Sequence, residues 1–172
     1  MQRFQNDLNL RQALYGLYVS LFQARKKCPD DFKDGRITTI MTAIMGMENL
    51  GWRVTGITKE ALQLLSEVDF DKSRLPRRLC RGHRVDRIQT ARQLFDSKKP
   101  KLMNEFFGIF LENDRTVIML NEQNRHSQQF PSYIEIENPE GTLFPNGSLV
   151  GWKHRKKERE FLRALHLSLT PN

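Results

Sequence analysis

The sequence predicts an α+β fold: an N-terminal helical module, then a mixed half with short antiparallel strands and a C-terminal basic helix. Three observations carry this. Leucines recur at helical spacing near the N-terminus. A short apolar run of β type and a second strand-like segment come only after residue 115. A Pro-Asn-Gly turn signal then precedes an amphipathic stretch rich in Lys and Arg. At 172 residues the chain can bury a core without disulfide or metal staples.

Taken in order, Leu10, Leu14, Leu17 and Leu21 predict a helix over 7–26. Arg25-Lys26-Lys27 suit its C-terminus, where cations meet the negative end of the helix dipole. Cys28-Pro29-Asp30-Asp31 breaks it. A second helix is expected over 36–50, with Ile37, Ile40, Met41, Ile44 and Met47 as its stripe and Gly51 at its C-cap. Thr58 caps a third, with Leu62, Leu65 and Val68 inside. Helix, glycine turn, helix fits a DNA-reading helix-turn-helix, though it more often describes two packed helices.

Residues 69–76 read as a linker, which places a helical module at 1–70 and a basic α+β domain at 71–172. Val85, Ile88, Ala91 and Phe95 predict a helix ended by Lys98-Lys99-Pro100. Phe106, Phe107, Phe110 and Leu111 mark another over 102–112. Thr116–Leu120 is a strand, 121–126 the opening of a short helix, and Tyr133–Ile136 a second strand. Pro145-Asn146-Gly147 turns the chain before 149–152. The last segment, 153–167, is a basic helix with Phe161, Leu162 and Leu165 on its buried side.

The formal net charge is +8 and the isoelectric point about 9.8, an excess that favours a polyanionic partner. The expected partner is nucleic acid, DNA ahead of RNA, with a protein partner or a homodimer formed through the N-terminal helices. A membrane is not expected, because no apolar run approaches the roughly 18 residues of a spanning helix. The segment Met1–Asp7 lacks the basic-then-apolar order of a signal peptide. Cys28 and Cys80 stand in different segments and form neither a disulfide framework nor a zinc knuckle, so the expectation is a cytoplasmic, reducing compartment.

The charge falls in two clusters. From Arg74 to Lys99 there are nine basic residues against two acidic, and from Lys153 to Arg163 six against two. The candidate phosphate contacts are Arg77, Arg78, Arg81 and Arg92 in the first, and Lys153, Arg155, Lys156 and Lys157 in the second. A helix N-terminus bearing Lys and Arg can dock on phosphate. Trp152 is a candidate for stacking on an unpaired base, or else a core residue.

Arg81-Gly82-His83-Arg84 can also carry chemistry. An imidazole titrating near neutrality suits a hydrolytic general base. A preceding glycine lets backbone or substrate come close, and flanking arginines can hold phosphates. Asn113-Asp114-Arg115, the apolar run, and then Asn121-Glu122-Gln123-Asn124-Arg125-His126 add oxygen and nitrogen donors suited to a divalent cation. Together, Arg81-Gly82-His83 and the stretch 113–125 resemble the HNH, or ββα-metal, nucleases. The resemblance covers roughly residues 80–126.

That resemblance implies a metal-dependent endonuclease that hydrolyses phosphodiester bonds with Mg²⁺ or Mn²⁺. It implies His83 as general base, Arg84 or Arg87 stabilising the charged phosphorus centre, and Asn113, Asn124 or His126 as metal contacts. The sequence departs from the family in carrying Gly82 where many members have an acidic residue. The alternative is a non-catalytic DNA- or RNA-binding subunit of a larger nucleoprotein complex. A nuclease class built on Asp-x-Lys spacing finds only Asp96-Ser97-Lys98, at a helix end, and is the weaker match.

Overall fold

A computed structural model describes residues 7–45, 51–126, 129–147 and 151–169. It is α+β: among the described residues there are seven helices and a four-stranded sheet. The chain divides into two compact units, one formed by Met1–Trp52 with Val85–Arg115, the other by Arg53–Arg84 with Thr116–Asn172. Each unit is therefore discontinuous. The expected boundary at 70/71 falls inside the second.

The first unit holds four helices: α1 (Leu8–Lys27), α2 (Asp34–Met45), α4 (Arg87–Phe95) and α5 (Met103–Asn113). Asp7 caps α1 by accepting from the Leu10 amide at 2.9 Å. The core of this unit takes Leu14, Tyr18, Leu21 and Phe22 from α1, Ile37 and Met41 from α2, Leu94 and Phe95 from α4, and Phe106, Phe107 and Phe110 from α5. Tyr18 lies at its centre, stacked on Phe106 with ring centroids 4.4 Å apart. Leu17, expected in the buried stripe, is instead 47% exposed. The stripe runs through 14, 18, 21 and 22, which puts residue 17 on the solvent side of a 3.6-residue period. Ile88 is likewise exposed, and Leu94 takes its place in the core. Helix α2 starts two residues before the expected 36, while Met47 and the rest of 46–50 lie outside the described residues.

The second unit holds the sheet. Its strands are β1 (Arg53–Ile57), β2 (Leu79–His83), β3 (Arg115–Leu120) and β4 (Ile134–Glu135), in the order β2-β3-β1-β4. Strands β2 and β3 pair antiparallel from Leu79↔Leu120 to His83↔Thr116, and β1 pairs β4 through Gly56↔Glu135 and Ile57↔Ile134. Helices α3 (Lys59–Ser66) and α7 (Lys156–Leu169) pack together. They close a core of Val54, Ile57, Leu62, Leu65, Phe70, Ile118, Phe144, Trp152 and Leu162. The short helix α6 (Asn121–His126) follows β3 directly and contacts β2. Thr58 caps α3 as expected, its hydroxyl accepting from the Ala61 amide.

Strand β1 overturns the helix-turn-helix expectation: an extended segment, not a turn, precedes α3. Strand β2 lies where a linker and basic run were expected. Helix α7 opens at Lys156 rather than 153. Among the described residues no helix is long and apolar enough to cross a membrane.

Candidate nucleic-acid interface

From Lys72 to Arg84 the sequence holds six Lys and Arg and no acidic residue. The fold sorts these cations into two kinds. Arg81 is 6% exposed, and its guanidinium donates to Asn146 Oδ1 at 2.8 Å and to the Gly151 carbonyl at 2.9 Å. It braces a turn of the protein and is not a phosphate contact, contrary to expectation. The Lys72 ammonium sits 3.5 Å from the Trp152 ring centroid. Burial, with Arg81 nearby, pushes its pKa below the ordinary lysine value. Trp152 is itself 7% exposed and belongs to the core, so the ring expected to stack on a base is enclosed. Its indole N–H points to His154 Nδ1 at 3.4 Å.

The second kind faces solvent. Arg84 is exposed, over the Tyr133 ring at 5.4 Å. Arg74, Arg77 and Arg78 are exposed, and their side chains form no ion pair or hydrogen bond with any described residue. They occupy a turn held firmly at both ends. Asp71 opens it, accepting from the Ser73 amide and hydroxyl at 3.0 and 2.7 Å. At the other end Asn121 donates its backbone N–H to the Arg78 carbonyl at 3.0 Å and its side-chain amide to the Arg77 carbonyl.

At the start of α7, Lys153, Arg155 and Lys157 are exposed. Lys156 pairs only loosely with Glu160, at 3.7 Å. The helix N-terminus itself is already occupied. Glu158, 2% exposed, accepts from the Arg155 amide at 2.8 Å and from the Phe144 amide at 3.2 Å. A phosphate docking here therefore meets side-chain cations rather than free backbone amides. Arg159 and Arg163, further along α7, are taken up by Asp71 and Asp69 at 3.0 and 2.6 Å.

No protein-family model, curated protein or solved structure matches this chain.

Of the residues expected to form a hydrolytic centre, His83, Arg84 and Asn124 belong to the second unit. Side chains alternate along a strand, and directly paired residues share a face. Leu79, Arg81 and His83 thus share one face with Thr116, Ile118 and Leu120, while Cys80 and Gly82 share the other with Val117 and Met119. Helix α6 lies over the second face. A Cβ at residue 82 would stand 2.6 Å from Met119 Cε and 3.1 Å from Asn124 Oδ1. Gly82 therefore admits the protein's own Met119 and Asn124, not a substrate. His83 and Asn124 fall on opposite faces, an arrangement that does not suit one shared cation. The side chain of His126 lies outside the described residues.

The other candidates belong to the first unit and are engaged there. Asn113 donates to Gln93 Oε1 at 2.7 Å. Arg87 donates to Thr42 Oγ1 at 2.8 Å and lies over the Trp52 ring. Arg92 pairs with Asp34 at 2.8 Å, and this guanidinium holds the Asp34 carboxyl below the usual carboxylate range. Among the described residues no group of three His, Cys, Asp or Glu side chains is placed to hold a metal.

Sequence reasoning left Arg74 out of the candidate contacts. The signal that could have found it is the acid-free run from Lys72 to Arg84, in which Arg74 lies.

Proposed function

We propose that this chain is a non-catalytic nucleic-acid-binding protein that holds the phosphate backbone through cations of its second unit. The observation that carries the reading is the exposed arginine set of residues 74–78, which forms no ion pair with any described residue. Lys153, Arg155 and Lys157, also exposed, support it. Arg159 and Arg163, by contrast, are paired with neighbouring carboxylates. Cations without such partners are available to displace counterions from a polyanion, the sequence-independent source of nucleic-acid affinity. Base stacking on Trp152 and backbone-amide docking on α7 are not part of the reading, since one ring is enclosed and the other terminus is filled.

Hydrolysis is not part of it either, because His83 and Asn124 face opposite ways. The test is a salt titration of binding to labelled duplex DNA, single-stranded DNA and single-stranded RNA. Affinity should fall steeply between 50 and 200 mM salt, on the order of ten-fold or more for the several phosphate contacts proposed. His83→Ala should bind as the wild type does. Wild type incubated with Mg²⁺ or Mn²⁺ should leave each strand intact; metal-dependent cleavage abolished by His83→Ala would return the protein to the nucleases.

A further inference from the structure

Five non-glycine residues among those described take a left-handed backbone: Trp52, Asp69, Phe70, Arg77 and Phe144, with φ between 52° and 60°. An L-residue with a Cβ is disfavoured there, and glycine or asparagine is the economical choice. Four of the five have a reason inside the molecule for the side chain they carry. Trp52, Phe70 and Phe144 are buried at 7%, 5% and 2% exposure. Their amides donate to Asp114 Oδ2 at 2.6 Å, to the Leu65 carbonyl at 2.7 Å and to Glu158 Oε1 at 3.2 Å, respectively. Asp69 pairs with Arg163.

Arg77 is the exception. Its carbonyl is fixed by Asn121, so the backbone conformation is enforced from behind. Its side chain is exposed and makes no hydrogen bond, ion pair or ring contact with any described residue. Among the described residues, nothing explains an arginine at a position that glycine would fill with less strain. Strain that packing does not explain is characteristic of positions kept for binding. Arg74 and Arg78 stand beside it, equally exposed and equally unpaired. Three arginines thus fall within five residues, on a turn whose backbone is pinned by Asp71 and Asn121.

We infer that this turn grips consecutive phosphates of a nucleic-acid backbone, with Arg77 as its central contact. A guanidinium fork matches phosphate oxygens two at a time, which a lysine cannot do. The inference rests on the nucleic-acid reading above and narrows it to one turn, and it predicts contact with backbone rather than with base edges.

The experiment compares wild type, Arg77→Gly and Arg77→Lys in fluorescence anisotropy against labelled duplex DNA and single-stranded RNA across a salt series. Thermal unfolding runs in parallel. Arg77→Gly relieves the backbone, so it should remain folded, with a thermal midpoint unchanged or raised by about 2 °C. Its binding should weaken several-fold on every sequence alike, with a salt slope shallower by about one. Arg77→Lys should keep the slope but bind more weakly than wild type. Arg74→Gln, which leaves the left-handed residue untouched, should weaken binding in the same sequence-independent way. If wild type binds with a steep salt slope and the Arg77→Gly and Arg74→Gln variants match it, this inference is overturned while the nucleic-acid reading stands. If wild type shows no salt-sensitive binding, the reading itself falls, and the turn with it.

Discussion

Tyr18 shows how much one side chain can fix. It is fully buried, donates its hydroxyl proton to the Leu94 carbonyl at 2.8 Å, and accepts from the Lys101 amide at 2.9 Å. Burial raises its pKa above the ordinary phenol value. Tyr18→Phe keeps the stacking on Phe106 but leaves a carbonyl and an amide without their partner. It should cost about 1–3 kcal/mol, read as a lower urea midpoint at unchanged m-value. Thr58→Ala should cost about 1 kcal/mol, since it removes the α3 cap and the hydroxyl donation to Gln123 Oε1 at 2.9 Å. The residue scale is also where the sequence misled most. Arg81 and Arg77 look alike in a basic run, yet one is buried against acceptors 65 and 70 positions away and the other stands in solvent. No local pattern carries that distinction, because the acceptors come from a distant turn. The faces that Gly82 and His83 occupy are hidden from sequence for a related reason. Which face of a strand a residue occupies is set by register with its partner, here the pairing of His83 with Thr116.

Among the elements, the helices were legible and the strands only partly so. Helices α1, α5 and α7 announce themselves by apolar periodicity, and β3 by its run of β-branched and long apolar residues. Strand β2, Leu-Cys-Arg-Gly-His, has weak β propensity of its own. It is extended because β3 offers it a ladder of hydrogen bonds, a tertiary cause that a window of sequence does not contain. Strand β1 lies between Gly51 and Thr58, where the sequence reads as a glycine turn joining two helices. The contact of Phe70 with His154, just before α7, supplies a pH dependence of its own. His154 Nε2 lies 2.8 Å from the Phe70 carbonyl and its Nδ1 faces the Trp152 indole N–H, a pairing that uses the neutral imidazole. Burial pushes its pKa below the ordinary histidine value, with the nearby Lys72 and Arg159 adding to the shift. The unfolded chain therefore takes up this proton first. Its contribution to stability is complete above about pH 6.5 and is lost as pH falls toward the folded value. The urea midpoint should drop between pH 7.5 and pH 5.5, and His154→Gln should flatten that drop. An equal drop in the variant would assign the pH dependence to other groups.

The whole molecule is α+β as the sequence predicts, but its units are interleaved rather than consecutive. The chain leaves the second unit after Arg84, builds α4 and α5 in the first, and returns at Thr116 to pair β3 with β2. A linear reading finds a boundary where composition changes, near 69–76, and has no means of seeing a segment that departs and comes back. The same topology divides the hydrolytic candidates between the units: His83 ends β2 and Arg84 follows it in the second, while Arg87 and Asn113 belong to helices of the first. The net charge survives this rearrangement, and its exposed, acid-free part is the arginine turn before β2. Nucleic-acid binding through phosphates is what is proposed for this surface. The most direct measurement is the slope of log affinity against log salt concentration for wild type on duplex DNA and on single-stranded RNA. The account predicts a linear fall with a slope of several units on at least one of them, independent of base sequence. Binding that is absent at low salt, or that does not change as salt rises, would contradict it.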